Sequence, residues 1–442
     1  MAPHTVIVGG GLAGLACARE LASGFTLLEG DGRLGGLCRT EVEDGFSFDW
    51  TGHWLHVRDP EIRKLASEQW LAGNLLEIER RAVIHSEGVW TGFPYQHNLH
   101  GLPPRTIADC LIGFVEATEG AAGRALRERP LRDAAEFIER HLGKGFARHF
   151  LLPYNEKLFT VPCAELSPEW GGRFIPRPTL AEVVEGALGL ATPPAGYNAT
   201  FWYPREGGIE SLARALAAQV RALPGEVRTS ARVAALDFGS RALRLTSGEE
   251  LRYDELVLTC PLSQLASSLT GAPDFVVQAA RKLRSISVTV VEVGADDVAG
   301  PRFHWAYFPE PRFGFYRIGS PSEVNARLAP QGCRSFALEY SHRGPIDARA
   351  LIGGSLDALE ALGLIDKTRV KLARARTIPV AYVLFDQQHA AARAEVLRYL
   401  EQHGVRVAGR YGRWEYSSME DALLSGREAA RALRPPGGGP RG

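Results

Sequence analysis

The chain has 442 residues, 45% of them hydrophobic, with 51 lysines and arginines against 51 aspartates and glutamates. That length implies two or three units with sizeable cores and excludes overall disorder, while a formal net charge of zero offers no basic face for a nucleic-acid backbone. Gly, Arg and Glu interrupt every apolar stretch before the run of about 18 residues needed to cross a bilayer, so a soluble chain without stable membrane association is expected.

His4 to Gly9 reads as a β-branched strand, Gly11 to Leu21 carries apolar residues at helical spacing, and Phe25 to Leu28 reads as a second strand ending at Glu29. The small, apolar run Thr5 to Ala22 lacks a cationic leader, and its glycines would fragment a signal helix, so it belongs to the fold. Pro103 to Arg148 is helical in pattern, with phases such as Ile107, Leu111, Phe114 and Ala134, Phe137, Ile138. Eight prolines between 150 and 205 favour extended and turn structure there. Ile209 to Leu223 reads as a helix and Val227 to Leu258 as a strand meander. Ile286 to Val293 and Ser335 to Tyr340 predict a second sheet between roughly 266 and 375. Val380 to Phe385 and Val405 to Gly409 are further strands, Ala422 to Leu433 is a closing helix, and the apolar-poor tail 435–442 is expected to be disordered. The six cysteines form no CxxC pair, which suggests neither a zinc site nor a disulfide framework and makes a reducing, cytoplasmic setting the default.

Gly9-x-Gly11-x-x-Gly14 follows a strand and opens a helix. Its first glycine permits the tight turn, its second lets a pyrophosphate approach the backbone, and the helix N-terminus offers unpaired N–H donors. Glu29 stands where an acid receives ribose hydroxyls. Arg33-Leu34-Gly35-Gly36-Leu37-Cys38-Arg39-Thr40 comes next and resembles the second fingerprint of amine oxidase and sugar mutase flavoproteins, which implies FAD. There Gly35 and Gly36 let the chain pass close to the flavin side, and Arg39 can neutralise a phosphate. Near the C-terminus Gly409-Arg410-Tyr411-Gly412 precedes a helix starting near Met419, whose N-terminus suits negative charge at the flavin N1–C2=O edge. Val233, in the meander, completes the cofactor set.

A further ordered series is similar to the UDP-galactopyranose mutase family, particularly its eukaryotic-type branch: Gly52-His53, Phe93-Pro94-Tyr95-Gln96, Pro153-Tyr154-Asn155-Glu156-Lys157, Asn198-Ala199-Thr200-Phe201, Tyr307-Phe308-Pro309, Phe315-Tyr316-Arg317 and Gly409 to Tyr416. The resemblance implies a nucleotide diphosphate sugar as the substrate, with Arg173 and Arg317 as diphosphate-contacting arginines and Tyr307, Tyr382 and Tyr416 as phosphate-contacting tyrosines. It places Phe93, Tyr95 and Gln96 at the base, Asn155 and Asn198 near the diphosphate and sugar, His53 beside the flavin and Arg410 on FAD. Phe159 joins the substrate set where that branch has a tryptophan, and His56 stands where it has a phenylalanine.

The implied reaction interconverts UDP-galactopyranose and UDP-galactofuranose, or a related pair, through a covalent flavin N5–sugar adduct with no net redox change. Reduction by NAD(P)H or another donor comes first. No Ser-His-Asp or Cys-His set is apparent, which suits chemistry without a protein nucleophile. The rival is a net oxidoreductase of the amine oxidase or protoporphyrinogen oxidase type, for which a lysine near flavin N5 is common; no lysine occurs from Val288 to Val324. A catalytically silent FAD or nucleotide-sugar binding protein is a third reading. The expected fold is α/β: a discontinuous Rossmann-like FAD-binding domain (1–85, 205–265, 376–434), a helical insertion (86–150) and an antiparallel β-sheet substrate domain (151–204, 266–375). Oligomeric state is left open.

Overall fold

The computed structural model describes residues 3–121, 123, 129–190 and 199–433, apart from the side chains at 173 and 174. The tail 435–442 therefore lies outside the described residues.

Short β-branched and leucine-rich runs build a five-stranded sheet in the order Arg406–Val407, Glu255–Leu258, Thr5–Val8, Phe25–Leu28, Glu226–Arg228. Every pairing is parallel, so both faces must be covered. Ile7, Leu27 and Val257 point to the helices Leu12–Leu21, Glu210–Arg221 and Met419–Ala432. Their neighbours Val6, Leu28 and Leu256 point to the meander Val233–Asp237, Ala242–Leu245, Glu250–Arg252 and the helices Asp274–Lys282 and His389–Gln402.

The second sheet has seven strands in the order Val370–Val383, Ser285–Asp296, Cys333–His342, Arg317–Gly319, Trp305–Tyr307, Ala82–Ser86, Val89–Gly92. It is antiparallel except where Trp305–Tyr307 runs parallel to Ala82–Ser86. Its register sets Glu339 opposite Arg317, Arg317 opposite Tyr307 and Tyr307 opposite Ile84.

Helices Pro104–Thr118 and Ala134–Phe146 cross at close range over glycines, and Leu152–Phe159, Pro168–Phe174 and Leu180–Leu188 follow. Three of the expected boundaries move. Strands Ala82–Ser86 and Val89–Gly92 belong to the seven-stranded sheet, so a division at 85 cuts a strand. Val370–Val383 is one strand of that sheet, so a division at 376 cuts another. Residues 152–188, expected as extended and turn structure rather than long helices, hold three short helices whose side chains share a core with the insertion. Pro168 starts its helix behind the Ser167 cap, where a missing N–H costs nothing, whereas Pro153 follows the π-helical turn Ala147–Leu151 within a continuing helix. Among the described residues no helix is long and apolar enough to cross a membrane.

The helix crossing gives a test. A Cβ on Gly145 would drive into the carbonyl of Asp109 and the Cα of Cys110. Gly145→Ala is expected to lower stability by about 1 to 3 kcal/mol in urea denaturation, the range for overpacking a close contact; an unchanged midpoint would show that the crossing can relax.

Candidate active site

A cavity of about 1130 Å³ lies between the C-terminal ends of the parallel strands and one face of the seven-stranded sheet. At its first end Thr5–Val8 runs into Gly9, and Gly11 caps helix Leu12–Leu21. A Cβ on Gly14 would collide with the Gly9 carbonyl, so only glycine closes this turn. Gly11 bridges Gly35, and a Cβ on Gly11 would meet only the Cα of Gly36, at 3.7 Å; the two glycine segments thus form a bare backbone wall. Glu29 is fixed at its strand end by the N–H groups of Gly10 and Asp31, each donating at 2.8 Å, with lone pairs left for hydroxyls. Val233, Arg410 and Met419 also line this half, and Met419 opens its helix behind a Ser418–Asp421 capping box.

Arg39 sits differently from expectation. Its buried guanidinium pairs with Asp31 at 2.9 Å and lies 4.9 Å over Trp50, so its charge is already met by a carboxylate. Its Nε has no partner. Arg410 donates to the Ser417 carbonyl from Nε (3.1 Å) and Nη2 (2.7 Å). The backbone cradle, the anchored acid and the orphaned Nε fit a long adenine dinucleotide such as FAD, held by Gly9, Gly11, Glu29, Gly35 and Gly36.

The far wall is the sheet. Buried Glu339 accepts from Arg317 Nε at 3.1 Å and Nη2 at 2.7 and 2.8 Å, and from the Tyr316 hydroxyl. The Arg317 guanidinium lies 4.6 Å over Trp305, which stacks on Trp54 at 3.5 Å. Tyr307, Tyr382 and Tyr416 line this half together with Gln96, Phe93 and Asn155. Phe93 stacks on Tyr307 at 4.8 Å. Gln96 donates to the Pro176 carbonyl, and Asn155 donates to the Leu151 carbonyl while accepting from Trp170.

Two residues expected at the substrate are elsewhere. Tyr95 is fully buried and stacks on Phe150 at 4.9 Å inside the helical core. Phe159 is buried behind Trp170, edge to face at 4.6 Å, and it is Trp170 that reaches the cavity. Asn198 and the side chain of Arg173 lie outside the described residues. Arg80, Tyr154 and Trp305, not expected at the site, also line the cavity; Tyr154 belongs to the Pro153-Tyr154-Asn155 segment, whereas Arg80 is half of an Arg-Arg doublet that reads as solvated charge.

His53 lines the junction of the two halves with its Nδ1 unpartnered. Burial, reinforced by the nearby Arg410 guanidinium, pushes its pKa down to about 4. Burial likewise lowers His56, which also lines the cavity, and His304 to about 4. The lining thiols go the other way: burial pushes Cys38 up to about 12 and Cys260 up to about 11, so neither is a thiolate at neutral pH. No lysine lines the cavity among the described residues, and none of them form a group of three or more His, Cys, Asp or Glu placed to hold a metal ion.

The sequence profile of the flavin containing amine oxidoreductases matches residues 12–302. Coproporphyrinogen III oxidase of Mycobacterium tuberculosis H37Rv is 27% identical over 318 residues, covering 64% of this chain. The chain spans 65% of the length of that relative. The human peroxisomal N(1)-acetyl-spermine/spermidine oxidase is 27% identical over 158 residues, 33% of this chain and 30% of its own. Among solved structures, a reduced UDP-galactopyranose mutase superposes with a TM-score of 0.90 at 24% identity, covering 98% of this chain and 94% of its own. A putative protoporphyrinogen oxidase from Exiguobacterium sp. 255-15 gives 0.71 at 19% identity, covering 98% and 99%. The flavin-binding α/β fold is shared by both.

Two tests follow from this geometry. Arg317→Ala leaves Glu339 buried and uncompensated, which is expected to cost about 3 to 5 kcal/mol of stability, whereas Arg317→Met with Glu339→Gln should recover most of it; equal loss in both variants would reject the pairing account. For the histidines, the fold favours the neutral base while the unfolded chain takes up protons below about pH 6.5. Stability should therefore fall as pH drops from about 6.5 toward about 4. NMR of histidine-labelled protein should find three imidazoles still neutral at pH 5; ordinary titration of all of them would contradict their burial.

Proposed function

Because the chain belongs to the flavin containing amine oxidoreductase family, we propose that it holds FAD along the glycine wall and converts a nucleotide diphosphate sugar between pyranose and furanose forms. UDP-galactopyranose and UDP-galactofuranose are the pair to test first. The observation that carries this reading is the polar far wall: the guanidiniums of Arg80 and Arg317 over one indole, with Tyr154, Tyr307, Tyr382 and Tyr416 around them. An apolar substrate would gain nothing from that set, whereas a diphosphate meets cations and neutral hydroxyl donors.

FAD held by Gly9, Gly11, Glu29, Gly35 and Gly36 would, when reduced, supply a nucleophilic centre for chemistry at the sugar. The chain's own residues do the positioning. Arg317, locked on Glu339, gives the wall a fixed guanidinium edge that need not reorganise when the phosphates depart. The tyrosine phenols add donors without adding charge. His53, neutral at physiological pH, offers hydrogen bonding where the two halves meet. Trp54 and Trp305 line this end of the cavity with stacked rings.

The 27% match to coproporphyrinogen III oxidase favours a second reading, oxidation of a porphyrinogen-type substrate by the same flavin. Both readings are settled by one pair of assays. Dithionite-reduced protein should convert UDP-galactopyranose to the furanose, and oxidised protein should not. Reduced protein that leaves the sugar nucleotide unchanged, while aerobic protein consumes oxygen with coproporphyrinogen III, would replace the mutase reading with the oxidase one.

A further inference from the structure

Five described arginines line the cavity: Arg39, Arg80, Arg232, Arg317 and Arg410. Asp31 holds Arg39 at 2.9 Å and Arg232 at 3.1 Å, Glu339 holds Arg317, and Arg410 donates to the Ser417 carbonyl. Three of the five guanidiniums are thus paired with two carboxylates, Arg39 and Arg232 sharing Asp31, and a fourth is turned to a backbone carbonyl. Arg80 is arranged otherwise. Its Nη2 donates to the Tyr307 hydroxyl at 2.9 Å, its guanidinium lies 5.0 Å over Phe93 and 5.5 Å from the centre of Trp305, and its buried Nε has no partner.

This geometry has a chemical consequence. Tyr307 accepts from Arg80, so the phenol's own proton is left to donate elsewhere. An anion arriving at this wall meets an uncompensated guanidinium and a phenol O–H polarised by that guanidinium, side by side. The aromatic rings around Arg80 hold it by their π faces, which fixes its position without neutralising its charge. Arg317, in contrast, is one half of a buried ion pair and brings little net charge of its own.

We propose that Arg80 and Tyr307 form an anion-binding pair that supplies the net positive charge for the phosphates of the substrate, with Arg317 and Glu339 serving as its rigid neighbour. The proposal rests on the reading of the cavity as a nucleotide diphosphate site, and it is tested separately from that reading by using inorganic pyrophosphate beside UDP and uridine.

The experiment is calorimetric titration of the FAD-loaded protein at fixed ionic strength. Arg80→Gln is expected to weaken both UDP and pyrophosphate at least tenfold while leaving uridine within twofold. Arg80→Lys should recover part of the loss, and Tyr307→Phe should lose several-fold for the two phosphates only. Unchanged melting temperature and flavin absorbance show that the variants are folded, and Arg80→Lys keeps the test open if Arg80→Gln is not. Wild-type protein that binds pyrophosphate through Arg80 but shows no preference for UDP would support the anion pair and overturn the nucleotide reading. Arg80→Gln that binds pyrophosphate and UDP as tightly as wild type would overturn the pair, as would wild-type protein that binds neither phosphate.

Discussion

The chemistry of the far wall depends on a single register. Glu339, Arg317 and Tyr307 are opposite one another on three adjacent strands, so they share a face of the sheet. The residues next to them, Leu338, Ile318 and Ala306, face the other way into an apolar core with Phe313, Phe315 and Phe336. A slip of one residue would exchange the two sets, placing a guanidinium among phenylalanines and leucine against the cavity. Both faces therefore enforce the same alignment. The apolar side resists because it would lose its burial, and the polar side because Glu339, wholly buried, would lose Arg317.

That ion pair also explains how a cavity rich in arginine escapes repulsion. Guanidiniums gathered around one space would raise each other's cost unless carboxylates were interleaved, and here Asp31 and Glu339 are placed under the ones at either end. Trp305 lies under the guanidiniums of Arg317 and Arg80, at 4.6 and 5.5 Å, and Trp50 lies 4.9 Å from Arg39. Rings that sit under cations fix side-chain geometry with little desolvation cost, because the guanidinium keeps its edge donors free. The wall is stiff before any ligand arrives.

How much of this was legible in the sequence follows from how local each constraint is. The Gly9 to Gly14 turn, Glu29 and the helix opening at Met419 are set by backbone rules acting over a few residues, and they lie where the spacing predicted. Arg317 and Tyr307 also line the cavity. Tyr95 and Phe159 lie in the core because an aromatic residue in a motif does not declare which way it points. The 3-10 turn Tyr95–His97 sends Tyr95 inward while Phe93 and Gln96 stay at the cavity. Arg80 was invisible for the opposite reason. It gains its surroundings from strands that meet it across the sheet, Tyr307 and Trp305 lying more than 220 positions away in the chain.

Under the proposed function, the two ends of the cavity recognise phosphate by different physics. At the parallel sheet, backbone N–H groups, a bare glycine wall and a helix N-terminus do the work, and side chains contribute mainly by being absent. At the seven-stranded sheet, recognition comes from side chains on strands, whose direction is fixed by register and whose charge is tuned by neighbours. Backbone recognition tolerates little change, since any Cβ at Gly14 would collide with the Gly9 carbonyl. Side-chain recognition can be rebuilt one strand position at a time without disturbing the other end. A fold that holds its dinucleotide by backbone and its substrate by strand side chains is therefore free to change substrate while keeping cofactor.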